Sequence, residues 1–184
     1  VNGGVDPTTQ LMPFWQLYMY YHLALGKTDF YPDFYELCRT CTEQPSTDAG
    51  QSQYMVDFMK RISDAAGEDL SDFCKAWGLP GVNNRMKVTH YGTRYITTTQ
   101  EQMDEAAAYC SKYPKPRLNP FYINDTNIDM FRNPQPVSAG THTYSAGGRY
   151  TMSGWSGVVA WKLVDPDTGA TLCIHTNSAT FTFA

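Results

Sequence analysis

The side chains from which catalysis is usually built are present but dispersed. The four histidines, His22, His90, His142 and His175, lie far apart, and none has a second His or a Glu at ligand spacing. A catalytic zinc needs His and carboxylate ligands in one place, most economically as HExxH on one helical turn with the glutamate as base. The chain has no such run, so the histidines read as surface or satisfied core residues. Cys38-Arg-Thr-Cys41 is a single CxxC without a second pair, which suits two helix thiols, with a local disulfide or redox pair as the alternative. The carboxylates of Asp29, Asp33 and Glu36, and of Glu68, Asp69 and Asp72, offer material for a general acid and base, but their positions at helix starts explain them as caps. Gly154-Trp-Ser-Gly157 has the wrong spacing for a nucleophile elbow, and no Gly-rich phosphate loop precedes a Lys-Ser or Lys-Thr pair. Nucleophilic and nucleotide chemistry are therefore unsupported.

Two sets of residues remain as candidates for binding. Tyr150, Trp155 and Trp161 are placed to stack on sugar rings, although alternation along strands equally makes them core aromatics. Gln16 is the polar group in the middle of an apolar helix, and burying its amide unpaired would cost roughly 1–3 kcal/mol. It must find a backbone partner or face a substrate cleft completed by residues outside this chain.

These side chains need positioning elements. The run from Gln10 to Leu25 reads as a buried helix, with Leu11, Phe14, Trp15, Tyr18, Tyr21 and Leu25 along one face, a start between Gln10 and Pro13, and Gly26 as its stop. Further helices are expected after Asp29, from Gln51 to Gly67, from Asp69 to Gly78, and after Thr99 as cap, all packing around the first. Met86 to Thr98 fits a β-hairpin about Gly92. From Gly140 onward, short β-rich runs are divided by Gly-Gly, Ser-Gly and Pro-Asp-Thr-Gly turns. The fold class is thus α+β: a helical bundle subdomain of about five helices plus a β-hairpin, then a small antiparallel β module. The boundaries are 1–116 for the helical subdomain, 117–139 for a linker and 140–184 for a β-sandwich-like module, which has little core of its own.

A chain of 184 residues with 42% hydrophobic and 14% aromatic content suffices for a real core. The net charge of -4 and the lack of Lys/Arg clusters argue against a nucleic-acid partner, and the apolar run is too short for a membrane span. Val1 opens in a Gly/Pro-bearing loop, which leads us to expect a piece of something longer. The five cysteines do not form a dense disulfide pattern.

Four motifs coincide in one resemblance: Pro13-Phe-Trp-Gln-Leu-Tyr-Met-Tyr-Tyr21, Asp29-Phe-Tyr-Pro-Asp-Phe-Tyr-Glu36 with Arg39, Asp69-Leu-Ser-Asp-Phe-Cys-Lys-Ala-Trp-Gly78 and Tyr113-Pro-Lys-Pro116. Together they resemble the C-terminal portion of the enhancin-like, mucin-directed zinc metallopeptidases of gluzincin type found in gut Bacteroidetes. The likeness runs from about Leu11 to Pro136 and more loosely over the β module. It implies a helical part that closes the substrate cleft behind an upstream catalytic subdomain, which carries HExxH and a third glutamate ligand. It also implies zinc in the full-length protein but not here, a glycoprotein substrate, and a secreted or cell-surface location. The chain alone, lacking HExxH, is expected to be inactive, and no catalytic residue carries over to it. The alternative is a non-catalytic glycan-binding or adhesion module on a helical scaffold.

Overall fold

A computed structural model describes residues 7–42, 46–89, 92–176 and 180–182. His90 and the opening loop at Val1 lie outside the described residues. The chain divides into two compact units between Phe121 and Tyr122.

The first unit begins with α1 (Pro7–Leu17), which continues without a break as a π-helical segment, Tyr18–Ala24. Its wider hydrogen bonding is explicit where the Leu25 amide donates to the Tyr20 carbonyl at 3.0 Å. Gly26, at φ 69°, turns the chain out of it. The helix starts at Pro7, earlier than its apolar pattern indicates, so Pro13 sits inside it and forfeits one backbone bond. α2 (Phe30–Arg39) follows; Asp29 holds the N-cap position without a side-chain capping bond.

The central element is α3 (Asp48–Ala66) rather than α1: it packs against α2, α4 (Ser71–Trp77), α5 (Gln100–Cys110) and strand β2 (Arg94–Thr98). The reason is length and composition. Its 19 residues bury Val56, Met59, Arg61 and Ile62 together with Ser52, Ser63, Ala65 and Ala66, the last four small side chains that let neighbours approach closely. Thr47 caps its start, accepting from the Gly50 amide at 3.0 Å, and Gly67 ends it at φ 66°. Thr99 closes a full capping box with Gln102 at the start of α5. Asp69 stands one residue before the α4 N-cap, Leu70, and accepts instead from the Ser71 amide at 2.9 Å. β1 (Asn83–Val88) pairs antiparallel with β2.

The second unit opens with α6 (Ile128–Arg132), which lies within the segment 117–139, after a 3₁₀ turn at Pro120–Tyr122 that spans the boundary. β3 (Thr141–Ser145), β4 (Arg149–Ser153) and β7 (Thr180–Thr182) form one antiparallel sheet, and β5 (Ala160–Val164) pairs with β6 (Thr171–Thr176) in another. The fully buried residues of this unit, among those described, are Ile123, Asn127 and Phe131; no strand side chain is among them. Close backbone approach does part of the holding. A Cβ on Gly140 would fall 2.1 Å from the Ser153 carbonyl oxygen, so only glycine fits there.

Candidate functional site on the first helix

The helix from Pro7 to Ala24 is apolar nearly all round, so its sequence offers two possible buried stripes. The structure buries the one holding Pro13, Gln16, Leu17, Tyr20, Tyr21 and Ala24. Of the stripe expected in the core, Tyr21 is buried as expected and Phe14 and Tyr18 half-buried, whereas Leu11 is 64%, Trp15 48% and Leu25 47% exposed. The choice follows from side-chain chemistry. Pro13 and Ala24 are small enough for close packing, and Gln16 is satisfied at both ends.

The Gln16 carboxamide nitrogen donates to the Phe121 carbonyl at 2.8 Å, and its oxygen accepts the Trp77 indole N–H at 2.7 Å. The Trp77 ring meets Phe121 edge-on at 5.4 Å. Gln16 thus ties α1 to the end of α4 and to the chain before the unit boundary. Below it, the Tyr21 hydroxyl donates to Glu68 at 2.9 Å, and Tyr21 stacks on Phe30 at 4.3 Å. Burial and the Glu68 charge drive the Tyr21 phenol far above its ordinary range, and Tyr20, buried beside the same carboxylate, is pushed up to about 12. Burial also raises Glu68, against the opposing pull of the Tyr21 hydrogen bond and of Lys27. Both tyrosines therefore remain neutral, and the pair is a structural clasp rather than a base or nucleophile. Lys27 extends the clasp by donating to the Ala65 and Ala66 carbonyls at 3.1 and 2.6 Å, at the C-terminus of α3 where a cation is favoured.

On the outward side the rings form a row. Trp15 stacks on Tyr18 at 5.2 Å with 19° between planes, and Tyr18 on His22 at 4.7 Å and 16°. Leu11 extends it toward the helix start. The spacing of four, three and four residues carries this signal in the sequence, but on a helix apolar on both sides it does not say which stripe is wet.

Of the aromatics singled out in the second unit, Trp155 and Trp161 come together edge to face at 5.3 Å, and the Trp155 indole N–H donates to the Thr141 carbonyl at 3.0 Å. Tyr150 instead pairs across strands with Tyr144, their centroids 4.9 Å apart, and Tyr144 is 63% exposed. His142 lies on β3 and His175 on β6. Among the described residues no three His, Cys, Asp or Glu side chains gather as a metal site requires. Cys38 and Cys41 are half-buried free thiols, whereas Cys74 and Cys110 are buried. No described helix is long and apolar enough to cross a membrane.

No curated protein matches the chain in sequence. Solved structures do match in fold. One is a metallopeptidase in complex with Tn antigen, with a TM-score of 0.74 and 23% identity, covering 97% of this chain and 36% of that one. Another is a metallopeptidase from Bacteroides thetaiotaomicron, with a TM-score of 0.75 and 24% identity, covering 98% of this chain and 33% of that one. The ZmpB metallopeptidase from Clostridium perfringens is more distant, at TM-score 0.51 and 19% identity over 95% of this chain and 29% of that one. At these identities the likeness establishes the fold, and the chain spans about a third of the length of these structures. Residues 2–78, which include the whole first helix with its outward row, match the family of peptidase M60, enhancin and enhancin-like. Over that segment the chain is similar to the enhancin-like M60 peptidases.

Proposed function

We propose that this chain is the non-catalytic C-terminal part of a secreted zinc metallopeptidase acting on mucin-type glycoproteins. In this reading the aromatic face of the first helix closes the substrate cleft against an upstream catalytic subdomain, which supplies the zinc ligands. The observation that carries it is the row Leu11, Trp15, Tyr18 and His22 on the segment that matches the peptidase family, with Leu11 and Trp15 exposed and Tyr18 and His22 half-buried. An apolar, ring-stacked face of this kind marks an interaction surface. The Tn antigen bound to a structure of similar fold supports the glycoprotein substrate. Gln16 stands behind the row and holds the helix that presents it.

The test is expression of the chain joined to its upstream coding sequence. That protein should bind one zinc and cleave a Tn-bearing glycopeptide, and a Trp15→Ala, Tyr18→Ala double variant should lose most activity while keeping its zinc. Zinc binding and cleavage by the present chain alone would overturn the reading.

A second reading makes the β module a glycan-binding or adhesion element, with Tyr150, Trp155 and Trp161 as stacking residues. The exposed Tyr144 beside Tyr150 favours it. Glycan or mucin binding that survives deletion of residues 140–184 would count against it.

A further inference from the structure

Within the first unit a cleft of about 830 Å³ opens between the first turn of α3, strand β2 and the first turn of α5. Its size falls in the roughly 300–1,000 Å³ range of small-molecule sites. Thr42, Asp48, Gln53, Tyr95, Thr97 and Gln102 are among the residues lining it. Among the described residues no Lys, Arg or His lines it, and the Asp48 carboxylate does, which disfavours a phosphate or carboxylate ligand.

The chemistry of the wall narrows the ligand further. A peptide strand adding to β2 would need its outward amides, but these are already taken. The Tyr95 amide donates to Asp48 at 3.1 Å and the Thr97 amide to the Ser52 hydroxyl at 3.0 Å. Apart from the Asp48 carboxylate, whose second oxygen remains an acceptor, the groups left over are neutral. Gln102 uses its oxygen in the α5 capping box, accepting from the Thr99 amide, and keeps its NH₂. Among the described residues, no hydrogen-bond partner holds the Gln53 carboxamide or the Thr42 hydroxyl. Arg85 covers one face of the Tyr95 ring, 4.5 Å from its centroid. Amide and hydroxyl groups and one carboxylate acceptor beside a tyrosine suit a ligand that is itself uncharged, rich in hydroxyl donors and apolar on one ring face.

We propose that this cleft is a saccharide-binding subsite for a neutral hexose or N-acetylhexosamine of a glycoprotein's glycan. It takes its substrate class from the proposed function but needs no residue of a catalytic part, so it can fail while the peptidase reading stands.

The experiment is an amide NMR titration of the full chain with the methyl glycoside of N-acetylgalactosamine, and separately with an unglycosylated Ser/Thr-rich peptide. The sugar should give saturable shifts at Gly50, Gln53 and Thr97 with a Kd on the order of millimolar. Gln53→Leu, and independently Thr42→Val at an exposed position, should each weaken it by about fivefold, and Tyr144→Ser should leave it unchanged. Sugar shifts confined to β3 and β4, equal binding by the naked peptide, affinity unaltered in both cleft variants, or no saturable shift up to about 50 mM sugar would each overturn the proposal.

Discussion

The Gln16 carboxamide joins the Trp77 indole to the Phe121 carbonyl, one partner at each end of the amide, at 2.7 and 2.8 Å. Gln16→Ala removes both bonds and leaves an indole N–H and a carbonyl to be satisfied elsewhere. The expected loss of stability exceeds about 1 kcal/mol. Denaturant melts at equal m-value measure it; a loss below about 0.5 kcal/mol, as at ordinary surface sites, would mean that the amide is wet and unused.

Trp15→Ala should behave in the opposite way to a core substitution. A buried Trp→Ala costs roughly 3–5 kcal/mol, but Trp15 is 48% exposed and rests on Tyr18. We expect about 0.5–1.5 kcal/mol, the scale of one aromatic pair. The same melts check this, and a variant that fails to fold would put Trp15 back in the core.

Lys115 sets the acid limb of stability. Its ammonium lies 3.0 Å from both Asp69 and Asp72. Burial pushes the Asp69 carboxyl up, but the Ser71 hydroxyl and amide, together with Lys115, outweigh it and hold the group below its usual 3.8. Because the folded-state value is the lower one, the stability contributed is present above pH 3.8 and is lost as pH falls through the folded value. Lys115→Met should shift the acid unfolding midpoint to higher pH and cost about 0.5–1 kcal/mol near neutrality, a modest figure because the ammonium is half exposed. An unchanged acid midpoint would exclude the linkage.

The thiols should fall into two classes. Cys38, Cys41 and Cys173 are partly accessible, whereas Cys74 and Cys110 are buried and burial pushes both thiols up. Under native conditions an aromatic disulfide reagent should titrate the first three, and the other two only with denaturant. Rapid native modification of Cys74 would mean that α4 opens readily from α3.

Local punctuation made much of this fold legible. Gly26, Gly67 and Gly78 all take positive φ where the sequence ends a helix, and Thr99 caps α5 as expected. The run THTYS is β3 residue for residue. What local pattern does not encode is which of two apolar sides a helix buries, because that depends on partners remote in sequence: Gln16 finds Trp77 and Phe121, 61 and 105 residues away. For the same reason α3 replaced α1 as the centre, since its small residues become informative only once four neighbours share them. The cleft was invisible too. Its walls come from α3, β2 and α5, and no single stretch carries its pattern.

The π-helical segment Tyr18–Ala24 holds more residues per turn than an α-helix of the same height. A single-residue deletion in a core helix normally rotates everything beyond it by about 100° and is ruinous. Here the wide turn offers slack that can be drawn in. Removing one residue at its outward side, such as His22, should let the backbone relax toward α geometry while Ala24 and Gly26 keep their places. This helix can therefore absorb a change of length that would scramble α3, and length variation among related chains should collect at this turn.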